Sequence, residues 1–407
     1  MHIVIFLDQH PDTLGGAQLS AVLQARFLEK SGHVVTLCGP ASSQHKNRKG
    51  IITFTSFSLG TTEYAITIPS NQIQQTLDAT FKKLPAVDIV HIQADFWGAI
   101  IGFEFAKRHE IPAVITYHNN VEVGTSLVTG KVFAHLYLSL MARWAKKRLA
   151  ITFPSGRIDG WKYLAGLGKL ATARIAPTAH FARDLEAHGV GAPVNVLSNG
   201  LDDEVISSIK HKKTTRTRPL IVWTGRFSKE KRIMEFLQAV RTKEINADIE
   251  IYGSGSLKKV MHRFLQKHSL NNVKIVGSVS STEMLRVIAS ADLVVQTSIG
   301  FETQGRTVFE ALSLGTPVLL SDPKIAEDFT PDSYWLVKDR SVEALVKTLQ
   351  QAVSDIQTGH TKKIDPTIQK SFLQSHLTKK IETIYHSLSK ATKHTLYSKK
   401  QSHNQNL

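Results

Sequence analysis

The chain has 407 residues, of which 42% are hydrophobic and 21% charged, and its formal net charge is +16. This length suffices for two domains with sizeable cores, and the composition is that of a globular protein rather than a disordered one. A single cysteine, Cys38, excludes an intrachain disulfide framework and a cysteine-based zinc site, and it favours the cytoplasm. The positive charge favours an anionic partner, which can be nucleic acid, an anionic membrane surface or a phosphorylated substrate.

Three further signals are missing from the sequence. Residues 1–8 are apolar, but this run is short and has neither a basic start nor a cleavage site, so it predicts a first strand rather than a signal peptide. Without a run of 18 apolar residues, we expect no membrane-spanning helix. Because no helix-turn-helix, zinc-finger or ribonucleoprotein signature is found, we expect no nucleic-acid partner.

Taken in order, the chain alternates β-like and helical segments, which predicts an α/β fold with doubly wound parallel sheets. A strand at Ile3–Leu7 leads through Gly15 and Gly16 to a helix from about Ala17 to Ser31. A glycine pair at this place lets the backbone approach a ligand closely, although it also serves as an ordinary turn.

A later strand, Ala113–Tyr117, ends at His118. Ligands of open α/β sheets bind beyond the carboxyl ends of strands, so His118 is a candidate site residue. The alternative is a structural or solvated loop histidine.

The segment from Phe133 to Arg148 is apolar at first and basic at its end, and Trp161, Lys162, Tyr163 and Lys169 form a second aromatic and basic patch. Such a mixture suits a helix that lies in a membrane interface. The alternative is a packed helix with a solvated basic end.

We expect a first domain at 1–200, a linker at 201–218, a second domain at 219–360, and a C-terminal helix with a basic tail at 361–407. The linker prediction depends on the polar, basic stretch from 211 to 218. Apolar spacing from Phe372 to Leu388 predicts an amphipathic helix. Residues beyond Lys390 read as a tail that is solvated or touches anionic lipid.

The second domain begins with a strand at Leu220–Trp223, followed by Arg226 and Lys231 in a strand-to-helix loop. These two cations, five residues apart, can reach one diphosphate. Because no Asp-x-Asp element or spaced ligand set is found, we expect the diphosphate to be stabilised by cations and helix amides, without a metal ion.

The stretch from Ser298 to Leu320 holds a loop, a helix from about Arg306 to Leu314 and the next strand. The amides of Gly305 to Val308 form the open N-terminus of this helix, which is an anion site. Glu302 precedes the helix and Glu310 lies one turn inside it, so both carboxylates can accept hydrogen bonds from sugar hydroxyls. An amphipathic helix with two surface glutamates is the structural alternative.

Glu302 and Glu310, followed by Ala311 and Gly315-Thr316-Pro317-Val318, resemble the Glu-x7-Glu element of family 4 glycosyltransferases, the retaining GT-B enzymes. In the segment Gly15-Gly16-Ala17-Gln18, which resembles the first glycine loop of that family, Gln18 stands where the family usually has a glutamate. Further segments resemble motifs of the same family: Gly15-Gly16-Ala17-Gln18, Thr116-Tyr117-His118, Asn199-Gly200-Leu201-Asp202, Gly225-Arg226 with Lys231, Gly253-Ser254-Gly255 and Gly277-Ser278.

This resemblance implies a GT-B fold, with two Rossmann-like domains facing each other across a cleft, and a nucleotide-activated hexose as donor. It implies no cofactor. Four residues are expected to be catalytic: Glu302, His118, Arg226 and Lys231. The residues expected to bind the donor are Gly15, Gly16, Gly253, Gly277, Ser278, Thr303, Gln304, Gly305, Arg306, Thr307 and Glu310.

The acceptor is left open. Glu302-Thr303-Gln304-Gly305 resembles the branch that glucosylates diacylglycerol, so a membrane lipid is expected, whereas Arg306 and Asn119-Asn120 depart from that branch. Phosphatidylinositol, a polyprenyl carrier or a soluble glycan are alternatives. A non-catalytic basic binding protein with a nucleotide-sugar fold is the competing class. The expected location is the cytoplasm, including the inner face of the membrane.

Overall fold

The computed structural model describes residues 1–13, 15–42, 49–58, 65–209, 216–242 and 245–404, and for 128, 129 and 391–404 it describes the backbone alone. The chain divides into two compact units. The first comprises Met1–Gly200 and Gln374–Leu407, and the second comprises Leu201–Leu373. Within the stretch predicted as a linker, Asp203–Ser208 form a helix of the second unit, while 210–215 lie outside the described residues.

The first unit is built on a parallel sheet of seven strands, in the order β3-β2-β1-β6-β7-β8-β9. A two-stranded antiparallel ribbon, β4 and β5, lies outside this sheet. The strands are β1 His2–Leu7, β2 Val34–Pro40, β3 Ile51–Phe54, β4 Phe57–Ser58, β5 Ala65–Ile66, β6 Ile89–Gln93, β7 Ala113–Thr116, β8 Ala173–Ala176 and β9 Val194–Val196.

Helices connect these strands and cover both faces of the sheet. They are α1 Gly16–Lys30, α2 Asn71–Phe81, α3 Trp97–Arg108, α4 Val121–Thr129, α5 Lys131–Leu149, α6 Gly160–Gly168, α7 Ala179–Ala187 and, from the end of the chain, α16 Gln374–Asn404.

The strand β1 shows why this sheet forms. All six of its residues are buried, as expected for a strand covered on both faces by helices. Successive side chains alternate between the two faces, so Val4 and Phe6 join one apolar cluster while Ile3 and Ile5 join the other. Tyr385 of α16 belongs to the second cluster, so the predicted C-terminal helix packs on the first unit.

The second unit has a parallel sheet of six strands, in the order β12-β11-β10-β13-β14-β15. Its strands are β10 Leu220–Thr224, β11 Asp248–Tyr252, β12 Val273–Gly277, β13 Leu293–Gln296, β14 Val318–Leu320 and β15 Tyr334–Leu336. Its helices are α8 Asp203–Ser208, α9 Ile233–Val240, α10 Lys258–His268, α11 Ser281–Ser290, α12 Arg306–Ser313, α13 Pro323–Ala326, α14 Val342–Gln357 and α15 Pro366–Ser371.

Both sheets therefore confirm the predicted doubly wound α/β architecture. In the second sheet the first strand, β10, lies between β11 and β13, so the chain reverses its direction of winding there. Ligands of such folds bind beyond the carboxyl ends of the strands at this point. A ligand site is therefore expected at the carboxyl ends of β10 and β13.

Candidate active site

A cavity of about 110 Å³ lies at the ends of β10 and β13. Five of the residues predicted from sequence meet in its wall, which are Lys231, Glu302, Gly305, Arg306 and Thr307. The other lining residues are Trp223, Thr224, Gln296, Thr297 and Ser298. The structure therefore brings these five predicted residues together at the winding reversal of the second sheet.

The N-terminus of α12 forms one side of this cavity. Gly305 caps the helix with a φ of +70°, a left-handed conformation that favours glycine. A Cβ at this position would also lie 3.0 Å from Cδ1 of Ile325. Gly305 thus lets the chain enter α12 with Arg306 and Thr307 in the cavity wall, where the first amides of the helix form an anion site, although the Val308 amide donates to the Gly305 carbonyl over 2.8 Å.

Lys231 and Glu302 form an ion pair across the cavity. The two side chains are 22% and 14% exposed, so water screens this pair less than a surface pair. Ser298 Oγ donates a second hydrogen bond to the same carboxylate oxygen, over 2.8 Å. Glu302 is therefore held as a hydrogen-bond acceptor beside a cation.

The loops that carry this pair are tied to the sheet. Thr297 Oγ1, after β13, donates to the Lys231 carbonyl over 2.6 Å and accepts from Trp223 Nε1 over 3.0 Å. In the loop before α12, the amide of Gly300 donates to Asp322 Oδ2 over 2.7 Å. These contacts fix the positions of Lys231 and Glu302.

Glu310 is one turn inside α12 and pairs with Arg306, whose Nε lies 2.8 Å from Glu310 Oε1. Arg306 lines the cavity, whereas Glu310 does not. Thr303 and Gln304 are in the loop before the helix, outside the cavity wall, and Gln304 is buried. Glu310 thus lies beside the cavity rather than in it.

The remaining predicted residues of the second unit follow the ends of β10, β11 and β12. Arg226 is exposed in the same loop as Lys231, and Ser278 is exposed after β12. Gly253 packs closely on the loop after β10, since a Cβ added at Gly253 would lie 1.9 Å from the Gly225 carbonyl oxygen. The backbone amide of Gly253 donates to the Gly277 carbonyl over 2.9 Å. Gly253 and Gly277 thus join neighbouring loops, which is a structural role.

In the first unit, His118 follows β7 and is half-buried. Its Nε2 lies 3.1 Å from Gln93 Oε1, and burial lowers the pKa of His118 to about 4. The imidazole is therefore neutral at pH 7, and because an amide oxygen only accepts, Nε2 carries the proton. Gly15 and Gly16 precede and begin α1 in the same unit.

A buried polar network continues from Gln93 toward α16. Gln93 Nε2 donates to Gln24 Oε1 and lies 3.5 Å from His91 Nδ1. The Tyr385 hydroxyl is 2.6 Å from the same nitrogen, and His91 Nε2 is 2.8 Å from Thr116 Oγ1. Burial, and then the neighbouring His118, lower the pKa of His91 to about 3. The C-terminal helix is thus hydrogen-bonded to the network that holds His118.

Two aspartates lie next to this network. Asp8 accepts three backbone hydrogen bonds at the start of α3, from Asp95, Phe96 and Gly98 over 2.7, 3.0 and 2.8 Å. Asp95 accepts from Asn119 Nδ2 over 2.6 Å. Burial, and then the charge of Asp8, raise the pKa of Asp95 to about 8. Asp95 is therefore largely protonated at pH 7.

Sequence reasoning missed Gln296, Thr297, Asp95 and the network around Gln93. A signal was present for Gln93, Asp95, Gln296 and Thr297, because each lies at or just after the carboxyl end of β6 or β13. Among the described residues, no three His, Cys, Asp or Glu side chains are grouped so as to hold a metal ion. Nor is any helix in the described segments long and apolar enough to cross a bilayer.

Comparisons with known proteins agree with this geometry. Residues 14–205 match the model of Glycosyltransferase Family 4, and residues 206–365 match that of Glycosyl transferases group 1. The chain is 24% identical over 373 residues to an alpha-monoglucosyldiacylglycerol synthase of Acholeplasma laidlawii, covering 86% of this chain and 87% of that protein. It is 26% identical over 239 residues to a processive diacylglycerol alpha-glucosyltransferase of the same organism, covering 48% of this chain and 71% of that protein.

Solved structures share the fold. The Anabaena protein HepE, crystallised with UDP and glucose, superposes with a TM-score of 0.65 at 16% identity, over 95% of this chain and 100% of that one. The lipopolysaccharide outer core galactosyltransferase WaaB superposes with a TM-score of 0.65 at 15% identity, over 95% and 99%. With a Glycosyltransferase Family 4 domain followed by a Glycosyl transferases group 1 domain, and with this shared architecture, the chain is a glycosyltransferase of the GT-B fold.

Proposed function

We propose that this glycosyltransferase moves a hexose from a nucleotide sugar to the hydroxyl group of a membrane lipid such as diacylglycerol, with retention of the anomeric configuration. The observation that carries the proposal is the cavity in which Lys231, Glu302 and the open end of α12 meet. A diphosphate needs positive charge and amide donors, and a hexose needs carboxylate acceptors, so one cavity offers both.

Each side chain has a role in this proposal. Lys231, Arg226 and the amides after Gly305 stabilise the diphosphate as it leaves. Glu302 accepts hydrogen bonds from the hexose, and Glu310 accepts them from the ribose. When the donor binds, the phosphate takes Lys231 as its counterion, and Glu302 Oε1 exchanges its hydrogen bond from Lys231 for one from the sugar.

His118 binds a hydroxyl group in this proposal. With its proton on Nε2 held by Gln93, its Nδ1 carries the lone pair and accepts a hydrogen bond. The acceptor hydroxyl attacks the face that the diphosphate leaves, and its proton passes to the leaving phosphate, so no protein base is needed.

The cationic side chains also replace a divalent metal ion in this proposal. Excess EDTA is expected to leave the rate of transfer unchanged, and added Mg²⁺ or Mn²⁺ to raise it less than twofold. A loss of activity in EDTA that Mg²⁺ restores would contradict metal-free catalysis while leaving the donor and acceptor assignments in place.

The lipid acceptor is supported by the surface of α5. Val132, Phe133 and Leu136 are 73%, 67% and 68% exposed. Together with the exposed Leu140, they form an apolar face on the first half of the helix. Single exposed apolar residues are common on protein surfaces, but a contiguous patch marks an interaction site.

The second half of α5 continues the same face with basic residues. Arg143 and Lys147 are exposed and follow Leu136 and Leu140 at intervals of three or four residues, so they project from the same side of the helix. The opposite side, with Leu138, is buried. Apolar residues beside cations suit a helix lying on an anionic bilayer, the inner face of the membrane in a cell.

The names of both Acholeplasma relatives refer to diacylglycerol glucosides or diacylglycerol glucosylation. They support the same acceptor class for this chain. A panel of nucleotide-hexoses, each incubated with vesicles that contain diacylglycerol, phosphatidylinositol or a polyprenyl phosphate, tests the assignment. We expect a glycolipid only with diacylglycerol, and its anomeric coupling constant in the NMR spectrum should match that of the donor.

A separate measurement tests the membrane surface. Wild type is expected to sediment with anionic vesicles at low salt and to be released as salt rises, because lipid headgroup attraction is screened. Leu136→Glu should reduce sedimentation at least tenfold, whereas the control Val260→Glu, at an exposed apolar position of the basic helix α10, should not. Equal binding by both variants would contradict docking through α5.

A further inference from the structure

Gln296 is the last residue of β13 and lines the cavity that holds Lys231 and Glu302. Side chains alternate between the two faces of a strand, so Gln296 projects on the same face as Val294. Val294 packs in one cluster with Val308 and Phe309 of α12, whereas Val295 belongs to the cluster on the other face. The Gln296 side chain therefore projects under α12, near its open N-terminus.

The side-chain amide of Gln296 is buried and has no hydrogen bond to the described residues. The residue is 7% exposed, and neither Oε1 nor Nε2 has a partner among the described residues. A buried polar group without a partner lowers the stability of a protein, and in native structures such a group calls for an explanation. In the absence of ligand, an apolar side chain at this position would make the protein more stable.

We propose that Gln296 binds the donor through hydroxyl groups of the transferred hexose. This inference rests on the proposed function, since it takes the cavity as the donor site. Both halves of the side-chain amide lack a partner among the described residues, so a ligand that satisfies them supplies an acceptor for Nε2 and a donor for Oε1. A hydroxyl group supplies both, whereas a phosphate oxygen only accepts and would leave Oε1 unpaired.

The neighbours of Gln296 favour the hexose over the ribose. The cavity wall includes Glu302, the proposed acceptor for hexose hydroxyls, whereas Glu310, proposed for the ribose, lies outside it. With Gln296 present, the site can reject sugars whose hydroxyl groups leave the amide unpaired. Gln296 is therefore a residue that determines which hexose is transferred.

The variant Gln296→Met tests this inference, because methionine has nearly the same length and shape but no amide. Titration calorimetry should measure binding of the preferred nucleotide-hexose and of the matching nucleoside diphosphate, to wild type and to the variant. We expect roughly tenfold weaker binding of the nucleotide-hexose, unchanged binding of the diphosphate, and a melting temperature at or above that of wild type.

Ser313→Ala is the matched control. Ser313 Oγ is a second buried atom without a partner, on α12 but outside the cavity, so its removal should leave both affinities unchanged. Equal losses for both ligands in Gln296→Met, or no loss for either, would overturn the assignment to the hexose. If wild type binds no nucleotide-hexose at all, the proposed function fails first, and this inference fails with it.

Discussion

Lys231 Nζ and Glu302 Oε1 form an ion pair although 71 residues separate them in the chain. Removing either partner leaves the other as an uncompensated, partly buried charge. We therefore expect Lys231→Ala and Glu302→Ala each to lower kcat/KM for hexose transfer by at least about 100-fold, the size typical of a lost electrostatic contact to a transition state.

The exchange variant Lys231→Glu with Glu302→Lys separates stability from catalysis. It restores an ion pair, so its free energy of unfolding in urea should return to within about 1 kcal/mol of wild type. Its activity should stay as low as that of the single variants, because the cation no longer faces the diphosphate. Recovery of transfer in the exchange variant would show that the pair is only structural.

Gly305→Ala tests the open end of α12. At a φ of +70° an alanine is strained by about 1 to 2 kcal/mol, and its Cβ would also approach Ile325. The matched control is Gly359→Ala, with a φ of +79° and no atom within 4 Å of the added Cβ. Urea unfolding should show a loss of stability in both variants, larger in Gly305→Ala because of the contact with Ile325, while only Gly305→Ala should weaken nucleotide binding.

Asp95→Asn tests the protonated carboxyl group beside Asp8. The folded-state pKa of Asp95 is raised from 3.8 to about 8, so the folded state binds more protons than the unfolded state between these values. Its contribution to stability is complete below pH 3.8 and is lost as the pH rises through 8. The free energy of unfolding of wild type should therefore fall from pH 6.5 to 8.5 relative to that of the variant.

The slope of this difference should be at most about 1.4 kcal/mol per pH unit, the value for one proton. The lowered pKa values of His91 and His118 do not interfere, because their stability effect lies between those values and about 6.5. Urea unfolding at pH 6.5, 7.5 and 8.5 measures the difference in free energy of unfolding between wild type and Asp95→Asn. Parallel curves for wild type and Asp95→Asn would contradict the raised pKa.

Tyr385→Phe tests whether α16 controls the state of His118. Loss of the hydroxyl leaves the buried Nδ1 of His91 without its closest hydrogen-bond partner, which should lower stability by about 1 to 3 kcal/mol. In ¹⁵N-labelled protein, long-range correlation spectra should find the His118 proton on Nε2. The variant should show a mixture of tautomers, and an unchanged His118 spectrum would mean that the network does not reach it.

The sequence by itself determined the doubly wound architecture, because it depends on local periodicity. The apolar run at Ile3–Leu7 and the spacing of Val308, Ala311 and Leu312 each predict an element within a few residues of its observed bounds. It also pointed to Glu302 and Lys231, since both lie in motifs that resemble those of one family. Local periodicity and motif spacing are properties of a single segment, so they can be recognised in the sequence alone.

Only the tertiary structure decided which of these residues meet. Lys231 and Glu302 share a cavity because the ends of β10 and β13 are neighbours in the sheet, although β11 and β12 intervene in the chain. Gln296 follows an apolar run in the sequence, and the role proposed for it comes from a side-chain amide that packing leaves without partners among the described residues. Burial and pairing depend on segments far apart in the chain, and a linear pattern does not specify them.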